Sequence, residues 1–248
     1  LENENMTFFD FNINSVKKLE LFSSGYQQMK NYPQELLEFC NTNRSATSPV
    51  YNSYSESYND PECAYYPINF GFDTELLLKE CQSVDDLYFN HRGQDKKKGY
   101  GHEGWQSLTL HGIDKHKTEH YTKYGFTSLE EAGYHWTDAS KRVPNLTKFL
   151  QSLPYKLFDR VRIMRLSPGG YIMPHVDGPG RIFSPLNIAI NNPKGCEFVF
   201  KNKGVVPFSP GYGVVIDVAT EHIVLNESDE PRYHIIVHGH YSEDFFKL

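Results

Sequence analysis

At 248 residues the chain can bury a large core as one β-rich domain or as two small ones. Its formal net charge of -6, from 25 basic and 31 acidic residues, gives no support to a nucleic-acid binder, which would be basic overall or carry a long basic stripe. No apolar run approaches the roughly 18 residues of a membrane span and no signal peptide opens the chain, so no membrane partner is expected.

Leu1–Asn5, ahead of Met6, reads as a remnant of expression and stays outside the fold argument. From Pro33 a short amphipathic helix runs to about Cys40, with the proline at its first turn. Residues 43–66 are rich in Ser, Asn and Tyr and read as a long polar loop, either a lid or a merely solvated segment. A second helix starts at Thr74, with Thr74 or Asp73 as its N-cap. Residues 92–104 form a Gly/Lys loop whose run Lys96-Lys97-Lys98 reads as solvated. Trp105–His111 alternates like a strand, and His116 and His120 read as surface histidines among Lys115, Lys117 and Lys123. Ser128-Leu-Glu-Glu is a capping box opening a short helix, and Asn145–Leu153 makes another that Pro154 closes.

From residue 160 the character changes. Strands are expected at Arg160–Ser167, Tyr171–Asp177, Arg181–Asn191, Cys196–Lys201, Tyr212–Val218, His222–Asn226 and Arg232–His240. Pro168-Gly169-Gly170 and Gly178-Pro179-Gly180 are the first of their turns. This spacing suggests a sandwich or barrel. The chain therefore divides into a helical and loop part, 6–155, and a β core, 156–248, joined as one catalytic unit.

Within the core, His175 and Asp177 stand two apart, so in a strand both face one side while Val176 faces the other. His222 would join them from a second strand. Two imidazoles and one carboxylate leave coordination positions open, which suits non-heme iron(II). A closed structural zinc site would want four ligands, usually including cysteines. Cys40, Cys63, Cys81 and Cys196 are not spaced for one and read instead as reduced thiols in a cytoplasm. A His-x-Asp/Glu triplet alone is expected by chance about once in such a chain, so a plain hydrogen-bonded His–Asp pair is the competing reading. The later His222, and Arg232 ten residues beyond it, raise the odds for metal.

His-Val-Asp-Gly-Pro at 175–179 and His-Ile-Val-Leu-Asn-Glu-Ser at 222–228, leading into Arg232, resemble the iron(II)/2-oxoglutarate-dependent dioxygenases of the aspartyl/asparaginyl β-hydroxylase group. The resemblance covers roughly 160–240. It implies a mainly β fold: a double-stranded β-helix (jelly-roll, cupin-like) core with flanking helices and an α-rich N-terminal part. It also implies Fe(II), 2-oxoglutarate and O2 as cofactors, and hydroxylation of an amino acid or of a residue in a peptide or protein, with succinate and CO2 as coproducts. On this resemblance Arg232 holds the cosubstrate's distal carboxylate, which a guanidinium fork can do bidentately. Arg181 is the nearest candidate for a second basic residue, at an imperfect offset. Period two places His234 on the face of Arg232, as a pocket or a core histidine. Asn187, polar in the apolar run Leu186–Ile190, either contacts the cosubstrate or satisfies a neighbouring strand. Tyr171 and Met173 share the expected metal-facing side of their strand and can line the pocket, with plain core filling the reading preferred for Met173. Two other classes remain open: a cupin-type metalloenzyme using His234, His238 and His240 without 2-oxoglutarate, and a non-catalytic module whose aromatic N-terminal half binds a partner. The Trp105 strand and segments 43–66 and 112–142 are expected to wall the barrel's mouth. Oligomeric state has no sequence signal.

Overall fold

A computed structural model of the chain describes residues 32–91, 101–178 and 183–247. Residues 1–5, read above as a remnant, the lysine run 96–98, most of the 178–180 segment and Arg181 lie outside the described residues. Five α-helices are described: α1 (Gln34–Asn43), α2 (Tyr54–Asn59), α3 (Thr74–Ser83), α4 (Leu129–Ala132) and α5 (Pro144–Ser152). None is long and apolar enough to cross a membrane. The strands are β1 (Tyr65–Asn69), β2 (Phe89–Asn90), β3 (His102–Gly112), β4 (His135–Trp136), β5 (Tyr155–His175), β6 (Phe183–Ala189), β7 (Cys196–Phe200), β8 (Gly204–Val205), β9 (Tyr212–Asp217), β10 (His222–Asn226) and β11 (Arg232–Tyr241).

These strands form one curled antiparallel sheet with the order β1-β9-β6-β11-β5-β10-β7-β8, and β3 pairs along β5 as a branch that also carries β2 and β4. Among the described residues before 155, helices and strands are mixed, with β1 and β3 both adding strands to the core, so an α-rich N-terminal part is not confirmed. The loop expected at 43–66 holds α2 and opens β1. Its helix was signalled by Ser53-Tyr-Ser-Glu, a capping box in which Ser53 Oγ accepts from the Glu56 N–H. The N-caps at Asp73 and Ser128 form in the same way.

Period two sorts the core. Val161, Ile163, Ile235 and Val237 point outward and pack with Leu77, Cys81, Leu146 and Leu150 of α3 and α5. Leu166, Ile172, Phe198, Ile216 and Val224 point into the curl. On the far side α1 sets Leu36 and Cys40 on Val199, Ile223 and Leu225.

The chief departure from the sequence reading is at Pro168-Gly169-Gly170, expected as a turn between two strands. The chain runs through it as one strand, β5, which bends there. Its first arm pairs with β11, from Tyr155 to Leu166, and its second with β10, from Tyr171 to His175. Gly169 has φ +71°, and a Cβ at Gly170 would stand 2.8 Å from the Leu166 side chain and the Ser167 carbonyl, so glycine is required at the bend. Asn226, fully buried at the end of β10, clamps it. Its amide donates to the carbonyls of Leu166 (3.0 Å), Ser167 (3.2 Å) and Glu230 (2.8 Å), and its Oδ1 accepts from Ser228 N (3.0 Å). Replacing Asn226 with Ala would strand these groups away from water. We expect urea denaturation to show a loss of about 2–4 kcal/mol in unfolding free energy, whereas Asn59→Ala on the exposed end of α2 should change it by under about 0.5 kcal/mol.

Candidate metal centre

The bend brings His175, at the end of β5, opposite His222, at the start of β10. Asp177 lies two residues past the strand, and its N–H donates to the Val218 carbonyl (2.9 Å), just beyond β9. One ligand atom from each of the three lies within 4.8 Å of the others. His175 Nε2 is 3.9 Å from Asp177 Oδ1, and His222 Nε2 is 4.0 Å from Asp177 Oδ2. Both separations are too long for hydrogen bonds, so the competing reading of a bonded His–Asp pair does not describe this geometry.

The tautomers fit a cation. His175 Nδ1 donates to the Met173 carbonyl and His222 Nδ1 to the Thr220 carbonyl, each at 2.8 Å. With the proton held on Nδ1, both rings offer the Nε2 lone pair, as metal-ligating histidines commonly do. Burial lowers the His222 pKa against the opposing pull of Asp177, which keeps the ring neutral, and Phe198 stacks on it at 4.7 Å. His175 and His222 are buried while Asp177 is partly exposed, with a side chain 37% accessible. Two imidazoles and a carboxylate on one side of a gap suit an open-sided divalent transition-metal site.

A second polar group lies deeper in the same cavity, which has a volume of ≈ 280 Å³. Arg232 is buried; its Nη2 donates to His234 Nδ1 (2.8 Å), and its Nε has no partner. Among the described residues no carboxylate pairs with it, and only the Phe208 ring lies over the guanidinium, 5.6 Å away. Burial pushes its pKa down to about 10, which still leaves it charged at neutral pH. With Nδ1 accepting from Arg232, His234 carries its proton on Nε2, an atom that is also buried without a partner. Burial, helped by the Arg232 charge, holds the His234 pKa well below the usual range. Asn187 lies against the same Nδ1, its Oδ1 2.9 Å away; with that nitrogen accepting from Arg232, the amide bonds it only when turned to present its N–H. A buried cation with a free donor beside a free imidazole N–H is expensive unless an anion completes it.

Arg232, His234 and Asn187 line the cavity together with the three metal-ligand candidates. Tyr171 and Met173 do not. A register irregularity between Ile172 and His175 breaks the alternation, so Ile172 faces inward and Tyr171 packs outward on Tyr32. Arg181 lies outside the described residues. Trp105 lines the cavity, but no residue of 43–66 or 112–142 does. His240 is exposed after a register shift at Gly239, and His238 accepts from Arg162, so the three histidines of β11 do not converge. His175, Asp177 and His222 form the one such ligand group found among the described residues. The sequence reading passed over Arg160, Arg162 and Met164, which also line the cavity. Their period-two spacing was the available signal.

A family model described as aspartyl/asparaginyl β-hydroxylase matches residues 73–240. No curated protein matches the sequence. Similar solved structures include an oxidoreductase of the 2OG-Fe(II) oxygenase family from Burkholderia pseudomallei, with 15% identity, 77% of this chain and 93% of that chain covered, and a TM-score of 0.42. A prolyl hydroxylase from Trichoplax adhaerens, in complex with a hypoxia inducible factor peptide fragment, shows 12% identity over 93% and 96% of the two chains, with a TM-score of 0.43. A Pseudomonas putida prolyl-4-hydroxylase shows 14% identity over 70% and 90%, with a TM-score of 0.39.

Substituting Ala for His175, Asp177 or His222 should weaken Mn(II) binding, read by calorimetry or by loss of the free-ion resonance signal, by more than about 100-fold, beyond what removing an outer hydrogen-bond partner does. Unchanged binding in any one of the three would remove that residue from the site.

Proposed function

The chain belongs to the aspartyl/asparaginyl β-hydroxylase family and is a hydroxylase of the dioxygenase class, and from that premise we propose that its cavity is an Fe(II)/2-oxoglutarate oxygenase site. The substrate in this reading is an amino acid or a residue in a peptide or protein, hydroxylated at an unactivated C–H bond with succinate and CO2 as coproducts. The observation that carries it is the pairing, in one cavity, of three converging ligands with a buried guanidinium that has no carboxylate partner among the described residues. The strand order, with one arm of β5 beside β11 and the other beside β10, supports a double-stranded β-helix. Four buried cysteines, none of them in a disulfide, support a reducing, cytoplasmic setting.

In this site His175, Asp177 and His222 would hold iron(II), where O2 as the oxidant would give one oxygen atom to succinate and the other to the hydroxyl group as 2-oxoglutarate loses CO2. The remaining work belongs to the chain. Arg232 binds the distal carboxylate through Nε and a terminal nitrogen, a forked contact that fixes orientation as well as position. His234 adds its Nε2–H as a neutral donor, and its Nδ1 anchors the guanidinium. Asn187 lies against the same Nδ1 of His234 as Arg232 does. Ile172, Phe198 and Val224 exclude water along the cavity, which strengthens each of these charge-assisted bonds.

Purified protein with Fe(II) should convert 2-oxoglutarate to succinate, and His175→Ala should abolish this. Arg232→Ala should raise the 2-oxoglutarate concentration for half-maximal turnover by about 10–100-fold, the range expected when a charged hydrogen-bond partner is lost, while Mn(II) affinity stays within about twofold. Equal 2-oxoglutarate requirements in wild type and variant would reject the assignment of Arg232.

A further inference from the structure

The cavity carries more positive charge than its deep end uses. On the first arm of β5, Arg160, Arg162 and Met164 follow one another on the inner face and all line the cavity, as does His238 on β11. The bend sets their height. His175 lies seven residues beyond Pro168 on one arm (175 − 168), Arg162 lies six before it on the other (168 − 162), and Arg232 pairs with Leu166, two from the corner (168 − 166). Arg160 and Arg162 therefore stand at the level of the metal ligands and across the cavity from them, while Arg232 sits at the closed end.

Both guanidinium groups are held in place. The buried Thr118 carbonyl accepts from Arg162 Nη1 (2.9 Å) and from Arg160 Nη1 (3.3 Å), and Arg162 Nη2 donates to His238 Nε2 (3.0 Å). Arg160 Nε is buried with no hydrogen-bond partner, and no ion pair among the described residues includes Arg160. Burial and the two arginine charges press the His238 pKa well below the usual range, so His238 serves as a neutral acceptor for Arg162. The acidic side chain of Glu119 lies 3.8 Å from His91 at the cavity's edge. Two like charges gathered on one carbonyl repel, and an anion set against the open Nε of Arg160 would relieve that repulsion. A carboxylate placed there would accept from a forked donor, as carboxylates do at paired arginines.

Resting on the reading of the cavity as an oxygenase site, we propose that Arg160 and Arg162 form a second anion subsite, at the cavity's mouth, that holds a carboxylate of the substrate. His238 and Thr118 are positioning groups that aim the two arginines. The carboxylate belongs to a free amino acid or to an acidic side chain of a peptide; both present the same chemistry to the fork, and both can extend a C–H bond toward the side of the cavity where His175, Asp177 and His222 converge.

The test uses Mn(II)-loaded protein saturated with 2-oxoglutarate and reads binding by calorimetry and thermal shift. One arm titrates free L-amino acids and their methyl esters. The other titrates N-acetylated, C-amidated peptides containing Asp or Glu and their Asn or Gln counterparts. The expected result is that at least one acid binds, that its ester or amide counterpart binds at least tenfold more weakly, and that Arg160→Gln removes that difference while 2-oxoglutarate and Mn(II) affinities stay unchanged. Arg160→Lys should restore part of it. The arm that binds identifies the source of the carboxylate. Acids and neutral counterparts binding alike, acid preference surviving Arg160→Gln, or no acid binding in either arm would each overturn the subsite. If 2-oxoglutarate itself fails to bind, the oxygenase reading falls, and the subsite is judged by the same acid and ester pairs on protein loaded with Mn(II) alone.

Discussion

One bent strand decides where the cavity's polar groups stand. β5 supplies a wall to both halves of the curl, and its corner at Pro168-Gly169-Gly170 turns the inner faces of its two arms toward each other. His175 reaches the metal centre because the second arm pairs with β10, and Arg232 reaches the closed end because β11 pairs with the first arm beside the corner. A turn in place of this bend would free the arms to separate. Asn226 prevents that by tying the carbonyls of Leu166 and Ser167, on one side of the corner, to the end of β10 on the other. A Gln in its place would carry the same donors a bond further from the backbone, where three carbonyls at fixed positions could not all be met.

The corner also settles the electrostatics. Burial keeps His222 and His234 neutral, the second helped by the Arg232 charge, and hydrogen bonds fix which ring nitrogen carries the proton. It sits on Nδ1 for the metal-side pair, through the Met173 and Thr220 carbonyls, and on Nε2 for His234, through Arg232. Lone pairs therefore face the gap at one end while N–H groups meet the guanidinium at the other. A buried, charged arginine is among the most costly groups a core can carry, several kcal/mol before compensation. Aliphatic side chains could fill the closed end with no such cost, so the persistence of Arg232 there makes sense when an anion shares the cavity.

Much of this was legible in the sequence because the relevant segments are regular. Strict alternation holds from Arg232 to Ile236, and the three residues of that face line the cavity as period two requires. The ligand set was readable for a different reason, since residue types and the separation of His222 from Arg232 carry it without any assumption about faces. Alternation failed at Tyr171 and Met173, where a single irregularity before His175 exchanges inside for outside, and no side-chain pattern announces a one-residue shift of pairing. The run through Pro168-Gly169-Gly170 was misread because glycine and proline punctuate turns and bends alike; which results depends on partners such as Asn226 that lie about sixty residues away. α2 was missed through attention to composition over position, since a serine- and asparagine-rich stretch still contained a capping box at Ser53 and Glu56.

The two cationic ends of the cavity bear on each other. Leu166, which pairs with Arg232, and Arg162 are four residues apart on one strand, or about 13 Å at the rise of an extended chain. At that separation, two unit negative charges in a medium of effective dielectric about 20 repel by only about 1.3 kcal/mol, while each gains a forked contact worth more than that. The cavity can thus hold two anions at once. On the proposed reading, Arg232 is completed by one and Arg160 by the other. A molecule with a single carboxylate could enter at either end, but one bearing two, set apart by a short chain, can satisfy both the buried fork at Arg232 and the ligand gap. On that reading the deep site would select by reach and the mouth by charge, and a ligand of the wrong length would leave one guanidinium unanswered.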